Sequence, residues 1–402
     1  MDNLAFYLLF LGISILAALI FSRGATFTKS PLIIGYIVAG AILGPSIIGF
    51  ISFEQIKSLE IVNVVTLSLI GFGIGGELRW KEIKKLGKSI IFILFFESFG
   101  AFLFVGITLS ILLKNIPIGI IFGALAVATA PAATVEVVRQ YKAKGELTTT
   151  LYAIVGLDDI LALLIYILVI PIAFTFLGGA DSGAAPSIFQ ALGHAALKTL
   201  ITLGIGISMG LILMTVIKWI HDRVVLLLFS LGIILLNCGI AEMLELSPIL
   251  LNMAMGVVTV NSNAINSHKI FNALGDWSPP VYVWFFVLVG ARLDLPCLMK
   301  FGGLAIIYIL ARSIGKWIGS FVGGQLGNAT NSVKKYLGFC LMDQAGVAIG
   351  LALAASDTLE KIGLTEYSTQ IMSTITATTF FVMLIGPIFL KYALFKSGDA
   401  KV

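Results

Sequence analysis

Thirteen apolar runs follow one another along this chain, near residues 4–22, 31–50, 60–78, 89–113, 117–138, 149–177, 195–217, 223–243, 247–262, 279–296, 301–323, 335–356 and 367–390. A helix rises 1.5 Å per residue, so about 20 apolar residues cross a hydrocarbon core of ~30 Å. Composition removes the alternatives. The chain is 58% hydrophobic and only 12% charged, against about 25% charged in soluble domains. That excludes a soluble fold of this size, a disulfide scaffold and a disordered chain. The reading is an all-α polytopic membrane protein embedded in a lipid bilayer.

Loop charge sets its orientation. Thirteen spans place the termini on opposite sides. Eighteen of the 26 Lys and Arg residues fall in loops on one side, including Arg79, Lys81, Lys84, Arg139, Lys142, Lys144, Lys334, Lys335 and Lys391. The other side carries only Lys57, Lys114, Lys198, Arg292, Lys300 and Lys361. The rich side is cytoplasmic. The N-terminus then lies outside and the C-terminus inside, in a prokaryotic inner (plasma) membrane. The net charge of +5 reflects these loops and no nucleic-acid partner. Cys238, Cys297 and Cys340 lack metal spacing, and His194, His221 and His268 fall near span ends. The first apolar stretch reads as a span, because it lacks a basic n-region and a cleavage site. The longest hydrophilic gaps, 178–194 and 263–278, leave no room for a nucleotide-binding module, and no cofactor is expected.

A charge at bilayer depth costs roughly 2.5–3.5 kcal/mol on insertion scales, so each is a functional candidate. Those within spans are Glu97, the adjacent Asp158 and Asp159, Arg312, Lys316 and Asp343. Successive helix residues point about 100° apart, so one aspartate can meet a cation while the other faces a cavity. A carboxylate caught between burial and a nearby cation can take a proton or a small cation in turn. Lys316 and Arg312 are four apart on one helix face. Lys316, between Gly315 and Gly319, is favoured as the partner of Asp158; Arg312 is the less favoured partner and is free to snorkel to an interface.

Two spans look interrupted. The fifth reads Ala128-Thr-Ala-Pro-Ala-Ala-Thr-Val135, with Pro131 removing a main-chain donor and Thr129 and Thr134 able to ligate a cation. A plain proline kink is the alternative reading of that segment alone. The twelfth runs Leu341-Met-Asp-Gln-Ala-Gly346, which adds Asp343 and Gln344 to Glu97 as accessory candidates. The two segments are seven apart in order. That offset makes segments 1–6 and 8–13 inverted repeats with segment 7 as linker, the plan that puts a transport site between crossing broken helices. Glycine pairs such as Gly40/Gly44 and the run Gly315, Gly319, Gly323 mark close helix packing.

The chain resembles the sodium/proton antiporters of the monovalent cation:proton antiporter-2 family, in particular its NapA-like members. The resemblance spans nearly the whole chain. It rests on Pro31-Leu-Ile-Ile-Gly-Tyr-Ile-Val-Ala-Gly-Ala-Ile-Leu-Gly-Pro45, Pro131-Ala-Ala-Thr134, Asp158-Asp159, Phe285-Phe-Val-Leu-Val-Gly-Ala-Arg-Leu-Asp294 and Gly315-Lys-Trp-Ile-Gly319. By that resemblance Asp159 binds Na+, Asp158 pairs with Lys316, and Thr134 belongs to the broken helix. The acid that follows Pro-Ala-Ala-Thr in NhaA-type members is Val135 here, which leaves Asp343 to replace it. The resemblance implies a homodimer with elevator-like motion. Helices 1–3 (1–78) and 8–10 (223–296) are its scaffold, helices 4–6 (89–177) and 11–13 (301–390) its core, 195–217 a linker helix and 391–402 a short cytoplasmic tail.

The expected activity is electrogenic Na+ or Li+ exchange for H+, because two acids and a lysine bind more protons than one cation replaces. K+/H+ exchange is the first alternative, although potassium-efflux relatives carry Gln-Asp in place of Asp-Asp. A channel or ligand-gated sensor on this fold is the second, but no ring of charges lines a path. An enzyme is the weakest reading, since no nucleophile and base are placed together.

Overall fold

In hydrocarbon a main chain must satisfy its own N–H and C=O groups, so apolar runs this dense fold as helices. The computed structural model describes residues 3–27, 30–81, 84, 87–177, 188–220, 222–262 and 264–400. Among these residues every long element is helical. The helices are α1 (Asn3–Phe27), α2 (Leu32–Leu43), α3 (Phe53–Ser58), α4 (Glu60–Glu77), α5 (Lys88–Leu113), α6 (Ile116–Ala126), α7 (Pro131–Gln140), α8 (Glu146–Phe176) and α9 (Ile188–Val216). They continue as α10 (Arg223–Met243), α11 (Pro248–Ser262), α12 (Ala264–Trp277), α13 (Pro279–Ala291), α14 (Leu295–Leu326), α15 (Asn331–Cys340), α16 (Gly346–Lys361) and α17 (Thr365–Ser397). Among the described residues nine helical stretches are long and apolar enough to cross a membrane, with α6 and α7 taken together as Ile116–Gln140. Three shorter apolar helices, α2, α11 and α13, accompany them.

Three boundaries depart from the sequence expectation. The run 31–50 is helical only to Leu43, because Gly44 is extended (φ −66°, ψ 171°) and Pro45 follows it. The gap 263–278 contains α12, which buries Ile270, Ala273 and Leu274 on one face; a stripe of that kind carries no membrane-length apolar run. The stretch 391–402, expected as a short tail, is helical as far as Ser397, where α17 ends. Lys29, Lys85, His221, Lys401 and residues 178–187 lie outside the described residues, as do the side chains of His194 and Cys297.

By internal contacts the chain divides into two units. One comprises Met1–Lys85 and Lys198–Leu293, the other Leu86–Leu197 and Asp294–Val402. Within the first, α2 and α13 cross at glycine: a Cβ on Gly40 would stand 1.9 Å from the Val287 carbonyl oxygen. The second unit holds both interrupted helices and all six charges singled out above. There α5 and α14 cross so closely that a Cβ on Gly319 would lie 2.2 Å from the Phe96 carbonyl oxygen. This contact brings the helix carrying Glu97 against the helix carrying Lys316.

The end of the chain ties back to the helix of the aspartate pair. The carboxylate of Asp399 accepts from the amide and the hydroxyl of Thr148, each at 2.8 Å, and its carbonyl accepts from the Lys144 amide at 2.8 Å. Asp399 thereby caps the first turn of α8, where free N–H groups and the helix dipole favour a carboxylate.

Asp399→Ala is expected to destabilise the protein by about 0.5–2 kcal/mol, the cost of a lost helix cap, seen as a lower melting temperature in detergent. Gly319→Val is expected to cost more, about 1–3 kcal/mol or beyond for overpacking. A Gly319→Val protein as stable as the parent would refute the close crossing.

Candidate functional site

Both interruptions create the same chemical problem. Helix α6 ends at Ala126 and α7 restarts at Pro131, which has no N–H to satisfy and suits a first helical position. Helix α15 ends at Cys340 and α16 restarts at Gly346. Each break frees carbonyls that a continuous helix would have bonded. The two breaks meet: the Ala130 amide donates to the Asp343 carbonyl at 3.0 Å. Arg312 occupies their junction and is 1% exposed. Its Nε donates to the Ala126 carbonyl at 2.9 Å, and its Nη2 donates to those of Ala128 at 2.8 Å and Asp343 at 3.2 Å. Its Nη1 donates to the Met342 carbonyl. Guanidinium is suited to this, with five donors in a rigid fork and no acceptor to leave unsatisfied. The expectation that Arg312 is free to snorkel outward is therefore corrected. The freed carbonyls hold it inside.

One turn along α14, Lys316 is fully buried. Its ammonium donates to Glu97 Oε2 at 2.6 Å, Thr129 Oγ1 at 2.8 Å and Asp158 Oδ2 at 3.3 Å. Three donors thus meet three acceptors. Thr129 in turn donates its hydroxyl to Asp158 Oδ2. The Ser98 hydroxyl lies 3.0 Å from Glu97 Oε1 and 3.2 Å from Asp158 Oδ1. Every oxygen of Glu97 and Asp158 accordingly has a partner. Asp158 does lie against Lys316, but Glu97, expected only as an accessory, is the closer carboxylate. Breaking a buried pair of this kind costs about 3–5 kcal/mol, because the remaining charge is left uncompensated.

Asp159 sits outside this closed cluster. Its Oδ1 is buried and has no hydrogen-bond partner. Thr134 is not drawn in either; its hydroxyl reaches back at 3.5 Å to the Ala130 carbonyl within its own helix. Gln344, fully buried, donates through Nε2 to the Leu125 carbonyl at 2.7 Å and to the Tyr308 hydroxyl at 2.9 Å. Asp343, at 1% exposure, keeps one buried oxygen without a partner. Two participants, Ser98 and Tyr308, were not among the sequence candidates. Tyr308 had a legible signal, since Tyr308, Arg312 and Lys316 recur every four residues along one face of α14. Ser98 had none, as a serine in a span is more often bonded to its own helix.

Arg312→Ala is expected to leave four main-chain oxygens without this donor, at about 1–3 kcal/mol for each that stays buried and unsatisfied. Arg312→Lys should recover only part of the loss, because one ammonium cannot span the fork. The melting temperatures of the two variants in detergent check this, and an Ala variant as stable as Lys would refute the bridging role.

The family model described as "Sodium/hydrogen exchanger, transmembrane" matches residues 12–396. No curated protein matches the chain in sequence. Among solved structures, the sodium proton antiporter MjNhaP1 from Methanocaldococcus jannaschii at pH 8 is similar over 97% of each chain, at 21% identity and a TM-score of 0.72. A second structure of that antiporter, from an electron-microscopy map, covers 100% of each chain at 21% identity and a TM-score of 0.74. At this identity the likeness establishes the fold. With the family model matched over nearly the whole length, the chain belongs to the sodium/hydrogen exchanger family.

Proposed function

We propose that this chain is a secondary antiporter that exchanges Na+, and Li+ in its place, for H+, with Asp159 as the group for which cation and proton compete. One observation carries the reading. Beside a cluster in which Glu97, Asp158, Thr129 and Lys316 satisfy one another, Asp159 presents a buried carboxylate oxygen with no partner. A carboxylate inside a membrane protein is costly unless a positive charge accompanies it. Asp159 therefore favours a transportable positive charge. Asp158, its neighbour in the chain, and Thr129 would turn from the Lys316 cluster to serve as further oxygen ligands, while Lys316 holds that cluster in place.

A count confined to the Lys316 cluster, with Arg312 left to the carbonyls it binds, favours electrogenic exchange. Lys316 brings one positive charge to the carboxylates of Glu97, Asp158 and Asp159. Two protons complete neutrality, whereas one Na+ leaves a net negative charge. Exchange of one for two moves charge across the membrane. The finer family placement, among the NapA-like members of the cation:proton antiporter-2 group, rests on Asp158-Asp159 and Lys316.

The same reading covers architecture. It takes the nine long stretches, the three shorter apolar helices and the pair α15–α16 as thirteen crossings in two inverted repeats. The unit containing the charges is the moving core, and the unit of α1–α4 and α10–α13 is the scaffold of a homodimer. The protein lies in a prokaryotic inner membrane with the N-terminus outside and the C-terminus in the cytoplasm, as the loop charges favour.

Purified protein in liposomes with an internal pH dye tests this. Na+ or Li+ added against a proton gradient is expected to drive proton movement, and Asp159→Asn to reduce it to background. A membrane potential set with K+ and valinomycin is expected to change the rate; an unchanged rate would make exchange electroneutral. A response to K+ alone would move the assignment to K+/H+ exchange. Cation flux without proton movement would remove the antiporter reading.

A further inference from the structure

The sodium-exchange reading uses the cluster around Lys316 and leaves a separate buried acid unexplained. Asp343 lies in the non-helical stretch between α15 and α16, at 1% exposure. Among the described residues it takes part in no ion pair, and its Oδ1 is buried without a hydrogen-bond partner. Its main-chain oxygen, by contrast, is bonded twice, by the Ala130 amide at 3.0 Å and by Arg312 at 3.2 Å. The backbone at this point is thus pinned, and the side chain turns in one observed direction.

That direction is α17. A Cβ on Gly386 would stand 1.9 Å from Asp343 Oδ1 and 2.7 Å from its Cγ. The carboxyl fills the space that any other residue at 386 would occupy. The next residue, Pro387, lies inside the helix and has no N–H. The carbonyl of Met383, four residues earlier, therefore loses its usual donor. A hydrogen-bond acceptor without its helical partner is brought to the same turn that receives the acid. Such a place suits a carboxyl group that carries a proton, which can donate.

The surroundings favour a proton over a metal cation. A cation of the sodium type needs several oxygen ligands around it, and the approach of Oδ1 to the α17 backbone leaves no room for a shell between them. The charged group that acts on Asp343 is Arg312, whose guanidinium is already engaged by four main-chain carbonyls. Among the described residues the other titratable groups nearby are Cys340, at the end of α15, and Tyr308, which bonds Gln344, the next residue in the chain. Helix α17 presents no charge at Gly386. The Gln344 amide cannot supply a donor, because both its N–H groups go to Leu125 and Tyr308. Arg312 lends Asp343 its positive charge but spends its N–H groups on main-chain carbonyls, and Oδ1 has no donor; a proton satisfies it.

We infer that Asp343 is a second proton-binding site, set in the interruption between α15 and α16 and seated on Gly386, that exchanges its proton separately from the Asp158–Asp159–Lys316 cluster. The inference adds to the sodium-exchange reading and does not need it. A protein that exchanged another cation, or none, would keep the same buried acid.

Infrared difference spectroscopy of the full-length protein in lipid, recorded between alkaline and acid buffers without added Na+, reads it directly. The carbonyl stretch of a protonated carboxylic acid is the signal. In the Asp158→Asn/Asp159→Asn double variant, one pH-dependent carboxylic-acid band is expected to persist, and Asp343→Asn added to it should abolish that band. Isotope-labelled aspartate in the double variant separates this band from glutamate, and keeps the test open if the variant with Asp343→Asn added fails to fold. A band that does not change with pH, or one lost with the double variant alone, overturns the inference. Failure of Na+-driven proton movement in liposomes, with the Asp343 band intact, would fault the sodium reading alone.

Discussion

Two helices stop and restart where water is scarce, and the main-chain groups they release have to be satisfied by protein. Arg312 does this. One side chain joins carbonyls from Ala126 and Ala128 on one break to those of Met342 and Asp343 on the other. The rest of the second unit depends on that junction. It fixes where Thr129 stands, and Thr129 is the hydroxyl that links Lys316 to Asp158. A lysine in the same place would satisfy fewer acceptors, which is the physical difference between a fork and a point charge.

The second dependence is steric. Charged groups from three separate helices share one dry cluster because α5 and α14 approach at glycine, with no side chain between the backbones. The closeness shortens the reach from Lys316 to Glu97 to 2.6 Å and leaves Asp158 the longer contact at 3.3 Å. Neighbouring aspartates then fall into different environments for a simple reason. A helix turns by about 100° per residue, so the donors that close around Asp158 cannot also serve Asp159.

Much of this was legible in the chain. Hydropathy marked the helices, since a main chain in lipid has little choice but to form them. Pro131 and the polar run through Asp343 marked both breaks. Charge inside apolar runs marked Glu97, Asp158, Asp159, Arg312, Lys316 and Asp343, because each is expensive there. Helix limits were less legible. The Gly44–Pro45 stop, the one-faced burial of α12 and the extension of α17 to Ser397 each depend on neighbours or local turn geometry that average hydropathy does not register.

The order of residues was enough to set the class of molecule, the interrupted helices and the short set of charges that have to be explained. These follow from local cost: an apolar run, a missing N–H or a charge in lipid is expensive wherever the fold places it. Partnership belonged to the tertiary structure. That Arg312 turns to carbonyls, that Glu97 stands closer to Lys316 than Asp158 does, that Thr134 stays within its own helix and that Asp343 lies against Gly386 are all decided by contacts between residues far apart in the chain. A hydrogen bond is settled within a few tenths of an ångström. Only the packing of whole helices places groups that finely.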